Sequence, residues 1–277
     1  MFQEIIVPLD GSEEAAEALG PASCFARRVS APIRIVAFHP YDADPTELER
    51  TVLEQSEATG EVTRVVEVVP IADSVAGDLR RLADRHGPAM IVMASHGRGR
   101  SAALLGSVAN DILHRPGQPV MLIGPGYLRG RFRTHGPAIV SVTGGDDDDV
   151  LQLTTALLAE TDLDPFVANV LDPRASRELD LARTGPGGSD LPTDSVGAER
   201  AADRLMASSD REAVDFEVFH DRHVADALVT EATARRASVV VMATHARTGV
   251  DRLAAGSVTA EVVRHAPCPV LVTRIAD

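Results

Sequence analysis

The sequence predicts an α/β protein built from two copies of one unit, each a parallel sheet with helices on both faces. Three observations carry this. Short apolar runs alternate with segments of helical periodicity, as in strands buried on both faces and joined by helical crossovers. The order of elements starts again after Gly136. The second pass matches the first at steady offsets: Asp10 with Thr143 at 133, Met93 and His96 with Met242 and His245 at 149, and Gly106-Ser107-Val108 with Gly256-Ser257-Val258 at 150. Such self-similarity marks a repeated structural unit. The second copy therefore carries 16 extra residues between its first and fourth strands, and one more in the loop after the fourth.

In chain order, residues 4–9 read as a buried strand. Asp10-Gly11-Ser12 is a turn, and one helix runs from Ser12 to about Val29, with Glu13 and Glu14 in the first turn where the helix dipole favours acids. Residues 33–38 form a strand, a polar helix ends near Thr59, and residues 62–69 form the third strand. Residues 73–86 carry Val75, Leu79, Leu82 and Ala83 at helical spacing. Residues 89–94 are the fourth strand, 107–113 a helix and 120–123 the fifth strand. Residues 124–136, rich in Gly and Arg, read as a linker. The second copy has strands at 138–142, 165–171, 216–219, 239–243 and 270–273. Its helices are at 146–160, 198–208, 224–236 and 257–264, with a long loop at 172–197. The domains are then 1–125 and 137–277, joined by a linker at 126–136.

At 277 residues, 44% hydrophobic and 25% charged, the chain has the balance of a globular protein with a well-formed core. Its net charge of −14 argues against nucleic acid or an anionic membrane surface as the main partner, because either is repelled. The chain contains no lysine, which excludes a lysine nucleophile and a P-loop lysine. Cys24 and Cys268 stand far apart, without disulfide or zinc spacing, as suits a reducing cytoplasm. Neither a signal peptide nor a transmembrane segment is expected.

The stretch from Ala89 to Val108 concentrates the candidate chemistry. A strand empties into His96-Gly97-Arg98-Gly99-Arg100, and Gly106-Ser107 opens the next helix. Glycines let backbone approach a phosphate closely. Helix-start N–H groups point at an anion, and Arg98 and Arg100 offer charge-assisted contacts. Asp10 ends the first strand at the carboxyl edge of the sheet, where ligands of such folds lie. Gly97-Arg98-Gly99-Arg100-Ser101-Ala102 also matches a dinucleotide fingerprint. It follows the fourth strand rather than the first, and the next strand carries no ribose-binding acid, so a dehydrogenase is not expected. His96 and His245 occupy matching loop positions and read as loop-holding residues. His220 and His223 lack a third ligand and read as surface residues rather than a metal site.

Ile5-Ile6-Val7-Pro8-Leu9-Asp10-Gly11-Ser12, the run from Ile91 to Gly99, and Gly106-Ser107-Val108 resemble the universal stress protein domain. Gly256-Ser257-Val258-Thr259 and Ala266-Pro267-Cys268-Pro269-Val270 resemble it in the second copy. The resemblance implies a tandem universal stress protein: two Rossmann-like, adenine-nucleotide alpha-hydrolase-like sheets, each of five parallel strands in the order 3-2-1-4-5. The domains would pair within the chain, and two chains could pair again as a homodimer. ATP, with Mg²⁺, is the implied ligand, held by a loop of the form Gly-x2-Gly-x9-Gly-Ser/Thr. Carried onto this chain, the first site comprises Pro8, Leu9, Asp10, Phe38, Met93, Ala94, His96, Gly97, Arg98, Gly99, Arg100, Gly106, Ser107 and Val108. A weaker second site comprises Thr143, Val170, Met242, Arg247, Gly256, Ser257 and Val258.

Both copies depart from the pattern. In the first, Ala94 replaces the first glycine, and eight residues rather than nine separate Gly97 from Gly106. Gly99 is expected to relieve the shortened loop. In the second, Ala243 and Ala246 replace both loop glycines, and Thr143 replaces the strand-end acid. Asp146-Asp147-Asp148-Asp149 reads there as a solvated helix start whose charge repels a triphosphate. The sequence thus predicts a stress-response regulator that binds ATP mainly in its first domain and acts on an unknown protein partner. No catalytic residue is expected, and at most slow ATP hydrolysis. The alternative is a scaffold that binds no nucleotide and acts through protein–protein contacts.

Overall fold

The computed structural model describes residues 2–85, 87–97, 105–113, 117–145, 147–173, 195–209, 211–244 and 257–274. The first half runs β1 (Glu4–Leu9), α1 (Glu13–Ala16), α2 (Leu19–Val29), β2 (Ile33–His39), α3 (Thr46–Ser56), β3 (Arg64–Pro70), α4 (Val75–Arg85), β4 (Ala89–Ala94), α5 (Ser107–Leu113) and β5 (Val120–Ile123). The second runs β6 (His135–Val142), α6 (Asp148–Glu160), β7 (Asp162–Leu171), α7 (Val196–Ser209), β8 (Asp215–His220), α8 (Val224–Ala234), β9 (Val239–Thr244), α9 (Ser257–His265) and β10 (Val270–Arg274).

The strands form one sheet in the order β3-β2-β1-β4-β5-β10-β9-β6-β7-β8. Within each half every pairing is parallel, and each half has the order 3-2-1-4-5. The halves meet where β5 and β10 pair antiparallel, with Val120 opposite Val272, Met121 opposite Leu271 and Leu122 opposite Val270. The carboxyl ends of the strands in the two halves therefore lie on opposite edges of the sheet. Alternate residues face alternate layers. Ile5, Val7, Phe25 and Leu157 belong to one buried layer, with Met121 and Leu271 continuing it across the junction. Ile6, Leu79, Ile91 and Leu228 belong to the other. On that second side Arg34 joins two carboxylates laterally, 3.0 Å from Glu4 and 2.5 Å from Glu67, so the charge it brings toward the interior is matched.

The sequence-predicted helix over residues 12–29 is two helices. Ser12 caps the first, its Oγ accepting from Ala15 N at 3.1 Å. Pro21, in the first turn of α2, lacks an N–H and its ring would clash with the Glu17 carbonyl of a continuous helix, so the chain breaks at residues 17–18. β6 and β7 each begin three residues earlier than predicted, at His135 and Asp162. Pro137 and Pro165 read as strand boundaries, but the register from His135↔Asp162 onward carries both strands past them.

Residues 124–134 do not form a loose tether. Gly126 N donates to Arg264 O at 3.0 Å, Leu128 N donates to Pro267 O at 3.0 Å, and Phe132 is buried in the core. Glycine is required at the start of this path, since a Cβ on Gly124 would lie 1.6 Å from Val263 O. Gly124→Ala should destabilise the protein by about 1–3 kcal/mol or more. Gly20→Ala, in α2 with open space around it, should stabilise by roughly 0.5–1 kcal/mol. Urea denaturation of both variants checks the pair.

Candidate functional site

The order of strands in the first half reverses between β1 and β4, and in open α/β sheets ligands bind in the crevice such a reversal leaves at the carboxyl ends. A cleft of about 210 Å³ lies there. Of the residues predicted for this site, Pro8, Leu9, Asp10, Phe38, Met93, Ala94, His96, Gly97, Gly106, Ser107 and Val108 all line it. Arg98, Gly99 and Arg100 lie outside the described residues. Ala15, Val75, Ser95 and Ala109 complete the lining. These four are apolar or small residues whose sequence signal is that of ordinary core and helix positions.

Asp10 is set by local chemistry. Gly11, at φ +80°, makes the left-handed turn that brings the chain back. The Asp10 Oδ1 then accepts from Ser12 N at 2.9 Å and from Ser12 Oγ at 2.5 Å. Ser12 is itself held from α3, because Gln55 Nε2 donates to Ser12 O at 3.1 Å. Reversing that amide would face two acceptors toward each other. In the orientation adopted, Gln55 Oε1 is buried without a hydrogen-bond partner, an arrangement that costs about 1–3 kcal/mol. The contact spans 43 residues and has no signature in local sequence.

Two glycines shape the cleft. A Cβ on Gly97 would lie 2.6 Å from Asp10 Oδ2, so glycine is what lets that carboxylate oxygen stay beside the loop. Gly106 N donates to Ser95 O at 2.6 Å, and a Cβ there would meet the same oxygen at 3.0 Å. This bond pins the two ends of the 96–105 loop together, whatever its length. Ser95 is buried, its N donates to Ile123 O at 2.8 Å, and its Oγ lies 3.3 Å from His96 Nδ1. His96 thus contacts the pinned base of the loop as well as the cleft.

The second half differs where Asp10 has its counterpart. Thr143 N and Oγ1 donate to Asp147 Oδ1 at 2.8 and 3.0 Å, and Gly144 N donates to Asp147 Oδ2 at 2.9 Å. Asp147 is only 5% exposed. The reading of residues 146–149 as a solvated helix start is therefore corrected at Asp147, whose carboxylate is folded back onto the turn after β6. Asp148 does face solvent and pairs with Arg204 at 2.6 Å. Compared with the first half, acid and hydroxyl have exchanged places: the acid follows the turn instead of preceding it. The first turn of α7 also sits against this loop, with Gly197 so close that a Cβ on it would be 2.5 Å from Gly144 Cα. Met242 is buried, and Val170 and Val258 pack against the same core layer. Ser257 begins α9. Arg247, Gly256 and His245 lie outside the described residues.

The thiols are poor nucleophiles. Burial pushes Cys268 up to about 12 and also raises half-buried Cys24. Among the described residues no cluster of three or more His, Cys, Asp or Glu is placed to hold a metal, and no helix is long and apolar enough to cross a membrane.

A repeated α/β unit with its cleft at the strand-order reversal defines the class of protein. The family model for the universal stress protein family matches residues 1–124 and again residues 139–274. The chain belongs to that family and carries two of its domains in tandem. No curated protein matches it. Among solved structures, a functionally unknown protein from Pseudomonas aeruginosa PAO1 is 15% identical with a TM-score of 0.66, covering 99% of this chain and 92% of that one. A universal stress protein from Archaeoglobus fulgidus is 18% identical with a TM-score of 0.62, covering 99% and 97%. At these identities the likeness is one of fold.

Asp147→Ala should cost about 2–4 kcal/mol, because it leaves two backbone N–H groups without their charged acceptor. Asp148→Ala should change stability by no more than about 1 kcal/mol, as for an exposed ion pair. Chemical denaturation of the two variants distinguishes these roles.

Proposed function

We propose that the first half binds an adenine nucleotide, ATP with Mg²⁺, and that occupancy regulates a protein partner in a cytoplasmic stress response. The observation that carries this reading is the cleft at the β1–β4 reversal, with the Asp10 carboxylate held at its mouth and glycine beside it at position 97. Phe38, Met93 and Val108 supply apolar walls suited to the faces of a purine. A carboxylate accepts from ribose hydroxyls or an exocyclic amine. The backbone N–H of Ser107, at the start of α5, marks the end of the cleft toward which phosphates would run. With a net charge of −14, Mg²⁺ would reduce the repulsion felt by a triphosphate. The reading is of binding and regulation, not turnover. In the second half the acid is withdrawn and buried, which supports a scaffold role for that domain.

Calorimetric titration with ATP and Mg²⁺ tests this. Saturable heat is expected from the wild type, and purified protein should release adenine nucleotide on denaturation; neither signal would sink the proposal. Gly97→Ala should weaken binding about tenfold or more, since its methyl displaces the Asp10 carboxylate. Gly106→Ala with Ser107→Ala should do likewise, while Gly256→Ala should leave affinity nearly unchanged.

The Gln55 contact makes a separate expectation. Gln55→Met removes the hydrogen bond to Ser12 and the buried unpartnered oxygen together. Thermal stability should hold or rise, while nucleotide affinity falls about three- to tenfold through loss of Asp10 positioning. The loss should shrink in an Asp10→Ala background. Full additivity of the two changes would show that Gln55 does not act through Asp10.

A further inference from the structure

The two halves carry equivalent surfaces beside their junction, and among the described residues the chain's own backbone covers one of them. On the first half, residues 127–134 lie along α2. Arg129 Nη2 is 2.9 Å from a Glu17 carboxylate oxygen, and the backbone of Thr134 hydrogen-bonds the Cys24 thiol. The Tyr127 hydroxyl is held by the backbone of Gly130 and Phe132, and Phe132 is 4% exposed. The segment is a turned strap, with Arg131 N donating to Leu128 O at 2.9 Å and Gly130 at φ +77°: two aromatic side chains stand five positions apart, with arginines between and after them.

Sheet register fixes the counterpart of that surface. Ile5 pairs with Ile33 as Ala138 pairs with Pro165, so Glu17 corresponds to Asp149, Pro21 to Leu153 and Cys24 to Ala156. Ile91 pairs with Val120 as Val240 pairs with Val270, so Cys268 and Pro269 correspond to Gln118 and Pro119. The burial pattern agrees, with Phe25 and Leu157 both wholly buried. At this counterpart lies a groove of about 630 Å³, lined by Phe2, Pro119, Asp149, Leu153, Ala156 and Arg204, among others.

We propose that this groove docks a peptide segment of a partner protein, turned like residues 127–134, with aromatic side chains spaced by arginines. The chain itself shows what such a surface takes, because its twin is filled by that kind of segment. Asp149 sets a carboxylate where Glu17 meets Arg129. Arg204 on the rim is already matched by Asp148 at 2.6 Å, so it does not repel a basic peptide, and the net charge of −14 attracts one. A second copy cannot supply its own strap, since Phe132 is part of its core. The proposal does not depend on nucleotide binding.

The probe is a fluorescein-labelled peptide Gly-Tyr-Leu-Arg-Gly-Arg-Phe-Arg-Thr, the sequence of residues 126–134, titrated by anisotropy against the intact protein. Saturable binding is expected, weakened about tenfold by Ala156→Arg and by replacing both peptide aromatics with alanine. Gln152→Arg, at an exposed position on α6, serves if Ala156→Arg melts early. Three results would overturn the proposal. One is no saturable binding. Another is equal affinity for the aromatic-free peptide, which marks plain charge attraction. The third is a concentration-dependent dimer that Ala156→Arg abolishes, which assigns the groove to a second copy.

Discussion

The antiparallel pairing of β5 with β10 is the contact on which the rest of the architecture depends. Each strand is the last of its half, apolar along most of its length, and alone it would present an unpaired edge. Joining them buries both edges and merges two five-stranded units into one sheet. The antiparallel sense then has a functional consequence. The carboxyl ends of the two halves face opposite edges, so the two potential ligand crevices are far apart and cannot share a ligand. The linker is drawn into the same junction, bonding to the end of α9 and placing Phe132 in the core.

Within that symmetric frame the halves have diverged at a turn of a few residues. Both turns use a left-handed glycine, Gly11 or Gly144, and both pair a hydroxyl with a carboxylate. In the first half the acid sits at the strand end and faces the cleft. In the second it sits after the turn and satisfies the turn's own N–H groups. The Asp147 carboxylate accepts three donors from its own turn, whereas the Asp10 carboxylate lies beside Gly97 on the wall of the cleft. The two turns thus differ in where one negative charge stands, while the order of the strands around them is the same.

Much of this was legible in the sequence. The fold and the repeat follow from apolar runs at steady offsets, and most of the first cleft from the resemblance to the universal stress protein domain, whose matching residues stand at strand ends that a parallel sheet brings to one edge. β4 and β5 are bounded by Pro88, Pro119 and Gly124, and their limits match the prediction. The break between α1 and α2 was less plain, since a proline is tolerated in a first turn and only the clash with Glu17 shows that a new helix begins there. The three extra residues at the start of β6 and of β7 were hidden by Pro137 and Pro165. Asp147 and Gln55 escaped reading for a shared reason: each acts on backbone groups, which look the same in every residue.

The central claim is that one half of the molecule is a nucleotide site and the other its scaffold. Counting bound adenine nucleotide per chain by native mass spectrometry at saturating ATP and Mg²⁺ tests it most directly. One nucleotide per chain, lost in Gly97→Ala and retained in Gly256→Ala, is the predicted result. Two per chain, or none, would contradict it.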